Sequence, residues 1–509
     1  MSEYGGVSDA ARRVDADFTD LPLAALADAG LSAARAAGAG HADVRVQRQR
    51  TGYTVLRDGR TASDSDDVDS GVAVRVLLDG VWGFAASDDL TPEAAAAAAA
   101  RAVAVARMSA PLARERVELA DEPTYPGAEW VSTYTTDPFA VPAADRAALL
   151  AEWSGRLLAA DAVDHVDIAV QVAKEQKFYA DLSGTTTTQQ RVMLDPDVTV
   201  VAVSGEGPET MRTLAPPSQR GWEYLTGDGF DWASALAELP ELVAERVSAP
   251  SVEAGTYDLV IDPSNLWLTI HESVGHATEL DRALGYEAAY AGTSFATPDG
   301  LGTLRYGSAL MNVTGDRTAP HGCASIGWDD EGVATREWDI VREGVLVGYQ
   351  LDRAMAARTG LGGSNGCAYA DSALHVPVQR MANVSVRAAD GGPDTAGLIG
   401  DVEDGLYVVG DKSWSIDMQR YNFQFTAQRF YRIRGGKLAG QVKDAAYQGS
   451  TPSFWGSMAA VGGPQTYVLG GAANCGKAQP GQEAWVSHGA PAVLFRNVRV
   501  LNTREEGAR

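Results

Sequence analysis

The sequence predicts an α+β protein of two domains. The first, 1–250, is an α/β domain of helices and hairpins. The second, 251–509, is β-rich and barrel-like and carries a metal-motif helix. Three observations lead there. A series of helix, strand and hairpin signals recurs through the first half. Beyond about residue 300 the chain is mostly alternating segments separated by glycine turns. Between them stands HESVGHATEL (271–280), preceded by the apolar run LWLTI.

The elements follow in order. PLAALADAGLSAARAA (22–37) reads as a helix, and ADVRVQRQRTGYTVLRDG as an extended segment. GVAVRVLLDGVWGFAA reads as a hairpin turning at Asp79-Gly80. EAAAAAAARAVAVARM (93–108) is a helix because alanine is the best helix former, with Thr91 as N-cap and Pro92 at the first helical position. After a loop at 110–143 the series repeats: helix 145–160, then VDIAVQVAKEQKFYADLSGTTTTQQ and VMLDPDVTVVAVSG. This recurrence hints at a degenerate internal duplication. A helix over 231–247 ends in APSVEAG, the expected domain junction. Strand TYDLVID follows, and Asp262-Pro263 starts the helix that carries His271. Later turns are expected at Glu343-Gly344 and Gly435-Gly436, and PAVLFRNVRVLN closes the chain as a strand. The Gly-, Ala- and Thr-rich stretch 281–322 reads as an active-site loop.

Composition narrows the class. The 509 residues suffice for two or more domains, and 45% apolar with 21% charged residues is ordinary for a globular protein. A net charge of −25 argues against nucleic acid as a partner. No apolar run is long enough for a membrane span. The polar, acidic start MSEYGGVSDAARRVDADFTD lacks an apolar core, so no secretory signal is expected. Three cysteines, Cys323, Cys367 and Cys475, suit a reducing cytoplasm better than a disulfide framework.

HESVGHATEL departs by one residue from the familiar H-E-x-x-H zinc helix. At about 100° per residue, a spacing of four leaves two side chains roughly 40° apart, and a spacing of five roughly 140°. A single π-type turn at Gly275 would swing His276 back over His271, as would a bend of the chain there. A catalytic zinc needs a third protein ligand and an open position. Glu279, His321, Cys323, Cys367, His375, Cys475 and His488 are all candidates on residue type. Cys475 lies in VLGGAANCGKAQPGQ, which reads as a flexible glycine-rich turn after a strand. That segment also spells G-x-x-x-x-G-K, but Ala478 stands where a P-loop needs Ser or Thr, and Pro480 and Gly481 spoil the following helix, so nucleotide binding is not expected.

H-E-x-x-x-H followed some two hundred residues later by N-C-G-K resembles the TldD/PmbA family of metalloproteases. GVAVRVLLDGVWGFAASDDL resembles that family's N-terminal domain, and HESVGHATELDRALGYEAAYAGTSFA its metal helix and following loop. GWDDEGVATREWDIVREGVLVGYQLDRAMAAR and VPVQRMANVSV resemble its C-terminal β-domain. The resemblance implies His271, His276 and Cys475 as ligands of one Zn²⁺ per chain and Glu272 as the catalytic base. It implies a TldD-like catalytic subunit hydrolysing unfolded peptides or peptide-like substrates. It also implies a dimer, either a homodimer or a heterodimer with a TldE/PmbA-like subunit. The chain departs from the family's best-known members at DRALGYEAAYAGTSF and at GDKSWSIDMQRYN, both of which could line a substrate channel. His488 and backbone N–H groups near Gly476 are candidate oxyanion donors. Two other readings stand beside this one: hydrolysis of a specific peptide-like metabolite or natural-product precursor, and non-catalytic regulation of a DNA-acting protein.

Overall fold

A computed structural model describes residues 13–506, so most of the polar start of the chain lies outside the described residues. The architecture is α+β. Five long strands order as Val81–Ser87, Arg60–Leu78, His41–Arg57, His165–Asp181 and Thr186–Ser204, with Ala128–Val131 and Gly207–Arg212 both against the last. The two central strands are antiparallel. On each side of that seam the chain runs helix, three strands, helix. Helices Leu23–Ala36 and Pro92–Ser109 pack on one half through Leu26, Ala98 and Val44; Ala143–Leu158 and Trp232–Ser248 pack on the other through Leu150, Trp232 and Val170. The helix–strand–hairpin recurrence in the sequence thus corresponds to two like halves of one sheet.

Local chemistry sets the element ends. Thr91 Oγ1 accepts from the Ala94 N–H at 3.3 Å, and Asp231 Oδ1 from Ser234 at 3.1 Å, each capping a helix start. Asp79 and Gly80 both have positive φ (49° and 74°), the geometry of a two-residue hairpin turn.

In the second half, Asp404–Ile416, Gly255–Ile261, Val493–Asn502, Ala445–Ser450 and Asn422–Arg434 are hydrogen-bonded in that order. The last pairs back onto the first, closing a five-stranded barrel. Closure removes the two edges that an open sheet of these five strands would leave to be covered. Its core includes Leu259, Phe425, Tyr447, Phe495 and Val500. The helix Pro263–Ile270 leaves the barrel strand Gly255–Ile261 through Asp262, whose side chain caps it by accepting from Ser264 N–H at 3.0 Å.

Two expectations need correction. Residues 468–477 are not a flexible turn; they form a strand, Val468–Lys477, paired with Gln482–Ala490 in a two-stranded ribbon. Its glycines permit close packing: a Cβ on Gly470 would come within 2.6 Å of the Trp267 ring. Stretch 281–322 does not line the central cavity. It wraps the metal-motif helix, with Ser294 Oγ donating to Ala277 O at 2.6 Å and the Tyr306 hydroxyl donating to Ser273 O.

Candidate metal centre

The helix Pro263–Ile270 widens into one π-type turn over His271–Gly275, in which the His276 N–H donates to His271 O five residues back. This is the first of the two solutions that the five-residue spacing allowed. It brings the imidazole centroids of His271 and His276 to 4.7 Å. The carbonyls at the end of the turn find side-chain donors. The Tyr306 hydroxyl reaches Ser273 O, Thr278 Oγ1 donates to Val274 O at 2.8 Å, and Gln350 Nε2 donates to Gly275 O at 2.7 Å. Gly275 is needed for space, since a Cβ there would meet Met381 Sδ at 2.6 Å.

Cys475 reaches the same point from the ribbon. Register shifts between Ala472 and Cys475, a bulge that turns Cys475 inward. The Arg380 guanidinium holds the bulge by donating to Cys475 O at 2.5 Å and Gln482 O at 3.1 Å. One ligand-capable atom from each of His271, His276 and Cys475 lies within 4.8 Å of the others, and all three residues are buried.

Hydrogen bonding dictates which ring nitrogens face inward. His276 Nδ1 lies 2.8 Å from the Glu279 carboxylate, which can only accept when ionised, so the proton sits on Nδ1 and Nε2 keeps its lone pair. That Nε2 lies 3.7 Å from Cys475 Sγ. His488 Nδ1 donates to Val384 O at 2.9 Å, which leaves its Nε2 to accept from His271 Nδ1 at 2.8 Å. His271 Nε2 is therefore also free of a proton. Both ring nitrogens of His488 are engaged in orienting His271, so it is not available as an oxyanion donor, contrary to the expectation from the sequence. Burial first, then His276 and His488 beside His271 and the Arg420 guanidinium beside His276, hold both well below the usual imidazole range and so keep them neutral.

These donors fit zinc. Zn–N and Zn–S bonds of about 2.0–2.1 and 2.3 Å at a tetrahedral angle put nitrogen and sulfur about 3.6 Å apart, close to the observed His276–Cys475 separation. The remaining candidates lie elsewhere. Glu279 stands behind His276 as its hydrogen-bond partner. His321 Nδ1 faces Gln219 O at 3.2 Å, and exposed His375 faces Asp371 at 2.7 Å. Cys323 and Cys367 are buried, and burial pushes both thiols up to about 12. Lys477, of the G-x-x-x-x-G-K decoy, is buried among Glu279 (3.4 Å), Asp281 (2.9 Å) and Glu287 (3.1 Å), so it has no phosphate to seek.

Glu272 does not point at the histidines' partners. It lines a cavity of about 350 Å³ together with His271, His276 and Cys475. Burial raises its carboxyl, while the Arg420 guanidinium, in direct contact with it, opposes the shift. Arg420 comes from the turn after Asp404–Ile416, at a left-handed φ of 61°. The same segment places Trp414 and Asp411 in the cavity wall, so GDKSWSIDMQRYN does line it. The DRALGYEAAYAGTSF segment instead supports that turn, with the Thr293 N–H donating to Met418 O at 2.9 Å. Arg420 could not be assigned from sequence, because its partner lies 148 positions away.

Residues 42–106 match the family profile described as PmbA/TldA metallopeptidase domain 1, and residues 254–502 the profile of the PmbA/TldA metallopeptidase C-terminal domain. A metalloprotease from Methanothermobacter thermautotrophicus is 27% identical over 468 residues, covering 91% of this chain and 96% of the relative. A zinc metalloprotease TldD homolog from Saccharolobus solfataricus is 23% identical, with coverage of 91% and 97%. Among solved structures, TldE from Thermococcus kodakarensis superposes with a TM-score of 0.71 at 16% identity, covering 92% of this chain and 98% of the other. A Thermotoga maritima protein titled a putative modulator of a DNA gyrase superposes with a TM-score of 0.73 at 15% identity, covering 93% and 99%. These structural likenesses concern the fold. Two profiles of one family, matched in order along the chain, and relatives alike over nearly its whole length place it in the PmbA/TldD metallopeptidase family.

Proposed function

We propose that the chain is a zinc-dependent metallopeptidase that hydrolyses amide bonds of unfolded peptides or peptide-like substrates. Its two domains would be 1–250 and 251–509. The observation that carries this reading is the convergence of two imidazole nitrogens and one thiol, at separations suited to zinc, on a cavity that also takes in Glu272. His271, His276 and Cys475 would hold the ion. Zinc bound there would supply Lewis acidity, lowering the pKa of water and polarising the scissile carbonyl. Glu272 would accept the water proton and deliver it to the leaving amine. Arg420 holds the Glu272 carboxylate in place between those transfers. Glu279 and His488 keep the two imidazoles in the tautomers that leave Nε2 unprotonated.

The strand Val468–Lys477 is paired on one side only and lines the cavity through residues 470–476. An extended peptide adding to it would gain main-chain hydrogen bonds with little side-chain selectivity. Trp414, Met418 and Tyr421 are exposed, whereas Phe423 and Phe425 of the same aromatic stretch are buried in the barrel. The exposed three supply apolar surface for a dimer interface of upwards of about 2,000 Å², with a TldE/PmbA-like partner or a second copy. No helix among the described residues is long and apolar enough to cross a membrane, and a cytoplasmic setting fits the three free thiols.

The test combines metal analysis with hydrolysis of an unfolded protein substrate by the purified chain, alone and after co-expression with a homologous subunit. About one zinc per chain is expected, with hydrolysis lost on chelation and restored by zinc. Light scattering should report a dimer. Absence of both metal and hydrolysis in either preparation would overturn the reading.

A further inference from the structure

The cavity that takes in Glu272 and the two histidines is also walled by the first half of the chain. Strand Thr186–Ser204 brings Asp195 and Asp197 to it, and Arg212 and Asp411 complete a charged cluster. Three carboxylates thus face one guanidinium. Two of the carboxylates have partners. Asp411 accepts from Arg212 Nη2 at 2.6 Å and from Trp267 Nε1 at 3.1 Å, and Asp197 accepts from Thr199 Oγ1 at 2.6 Å. Asp195 differs. Its carboxylate lines the cavity, and among the described residues no donor reaches it. Burial, and then the charge of Asp197, push its pKa up to about 6. Asp195 is only half-buried, so its carboxylate is open to whatever enters the cavity, and a cation there would offset the excess of carboxylates over the single guanidinium.

The wall beside Asp195 is apolar and stiff. Leu214, Ala215, Pro216 and Pro217 contribute to it, and each proline ring fixes its own φ. Such a surface suits a methylene stem whose charged end must reach a carboxylate, as lysine and arginine side chains do.

We propose that Asp195 is the specificity-determining residue of this cavity and receives a cationic group of the peptide substrate, foremost a lysine or arginine side chain. The inference rests on the peptidase reading above. It is tested with fluorescent peptides identical except for one lysine or norleucine, each with a free or acetylated N-terminus. Binding, by anisotropy, and hydrolysis are followed for the zinc-loaded protein and for Asp195→Asn, which keeps the shape and removes the charge. The lysine peptide should bind and be cleaved about tenfold better than its norleucine twin, mainly through KM, and Asp195→Asn should bring that ratio close to one. If the free N-terminus rather than the lysine carries the ratio, the α-ammonium is the cation received and the side-chain assignment is overturned. Hydrolysis without charge preference, or a preference that survives in Asp195→Asn, overturns the proposal while leaving the peptidase reading intact. Charge-selective binding lost in Asp195→Asn but unaccompanied by hydrolysis supports the subsite and removes the peptidase reading. No binding of either peptide removes both.

Discussion

Two of the buried polar regions among the described residues are built in opposite ways. One joins the first sheet to the segment 329–370. There Arg75 meets Asp43 at 2.9 Å and Glu331 at 3.0 Å, Lys177 meets Asp330 at 2.8 Å, and Arg191 meets Glu175 at 2.8 Å. The Tyr369 hydroxyl adds a bond to Glu175 at 2.8 Å. In each of these pairs a donor faces an acceptor. At the candidate metal centre, two imidazole lone pairs and a sulfur face one another, and the thiol proton is the only proton among them. Both regions bury ionisable groups and perturb their titration, so burial and pKa shift do not separate them. What separates them is whether the acceptors already have their cations. The ion pairs of the first region are complete as folded; the second would be completed by a cation.

The widest expected difference between the two is at Cys475. Cys475→Ala should strip the metal and with it hydrolysis, whereas Cys323→Ala and Cys367→Ala should retain about one zinc per chain, as read by elemental analysis. Full zinc occupancy in Cys475→Ala would mean that the convergence of the three donors is fortuitous.

Glu272→Ala should lower hydrolysis by roughly 10²-fold or more while zinc content stays as in the parent, because on the proposed mechanism the carboxylate would move protons and would not be a ligand. Wild-type turnover in that variant would remove its role as base. Replacing His488 by Ala should weaken zinc binding by about 10–100-fold in a chelator competition, since His271 would lose the partner that fixes its tautomer. An unchanged affinity would show that the His271 orientation is set by packing alone.

The ionic region should respond in stability instead. Lys177→Met leaves Asp330 with only Arg45, at 3.6 Å, beside it and should cost about 3–5 kcal/mol in denaturant unfolding. Zinc content of the folded fraction should not change. The pH dependence is smaller and its sign is fixed. Burial alone would raise Glu175, but Arg191 and Lys177 more than offset it and hold the carboxyl at about 2, below the ordinary value of 4.5. Its contribution, on the order of 3 kcal/mol, is present above the ordinary value and is lost as pH falls from there towards about 2. Glu175→Gln should flatten stability against pH in that window. An unaltered slope would mean that Glu175 does not report on the network.

Much of the scaffold was legible because it depends on neighbours in sequence. The cap Thr91, the turn at Asp79-Gly80 and the alanine-rich helix are set by residues a few positions apart. The pair His271 and His276, with Glu272 between them, could be read for the same reason. The ribbon around Cys475 was misread, since its glycines suggest a turn. The strand forms because Gln482–Ala490 pairs with it and Trp267 needs the space at Gly470. The composition of stretch 281–322 points to an active-site loop; its side chains serve the carbonyls of the metal-motif helix and do not line the cavity.

The sequence by itself determined the elements, the cation-seeking residue types, and a spacing that demands a π-type turn or a bend at Gly275. The tertiary structure decided which of these occurs, because Tyr306 and Gln350 arrive to satisfy the carbonyls the turn leaves open. It alone decided that Glu279 stands behind His276, that His488 orients His271 from 217 positions away, and that Arg420 meets Glu272. Those roles rest on hydrogen-bond geometry between distant segments, and a hydrogen bond acts over about 3 Å whatever the distance along the chain.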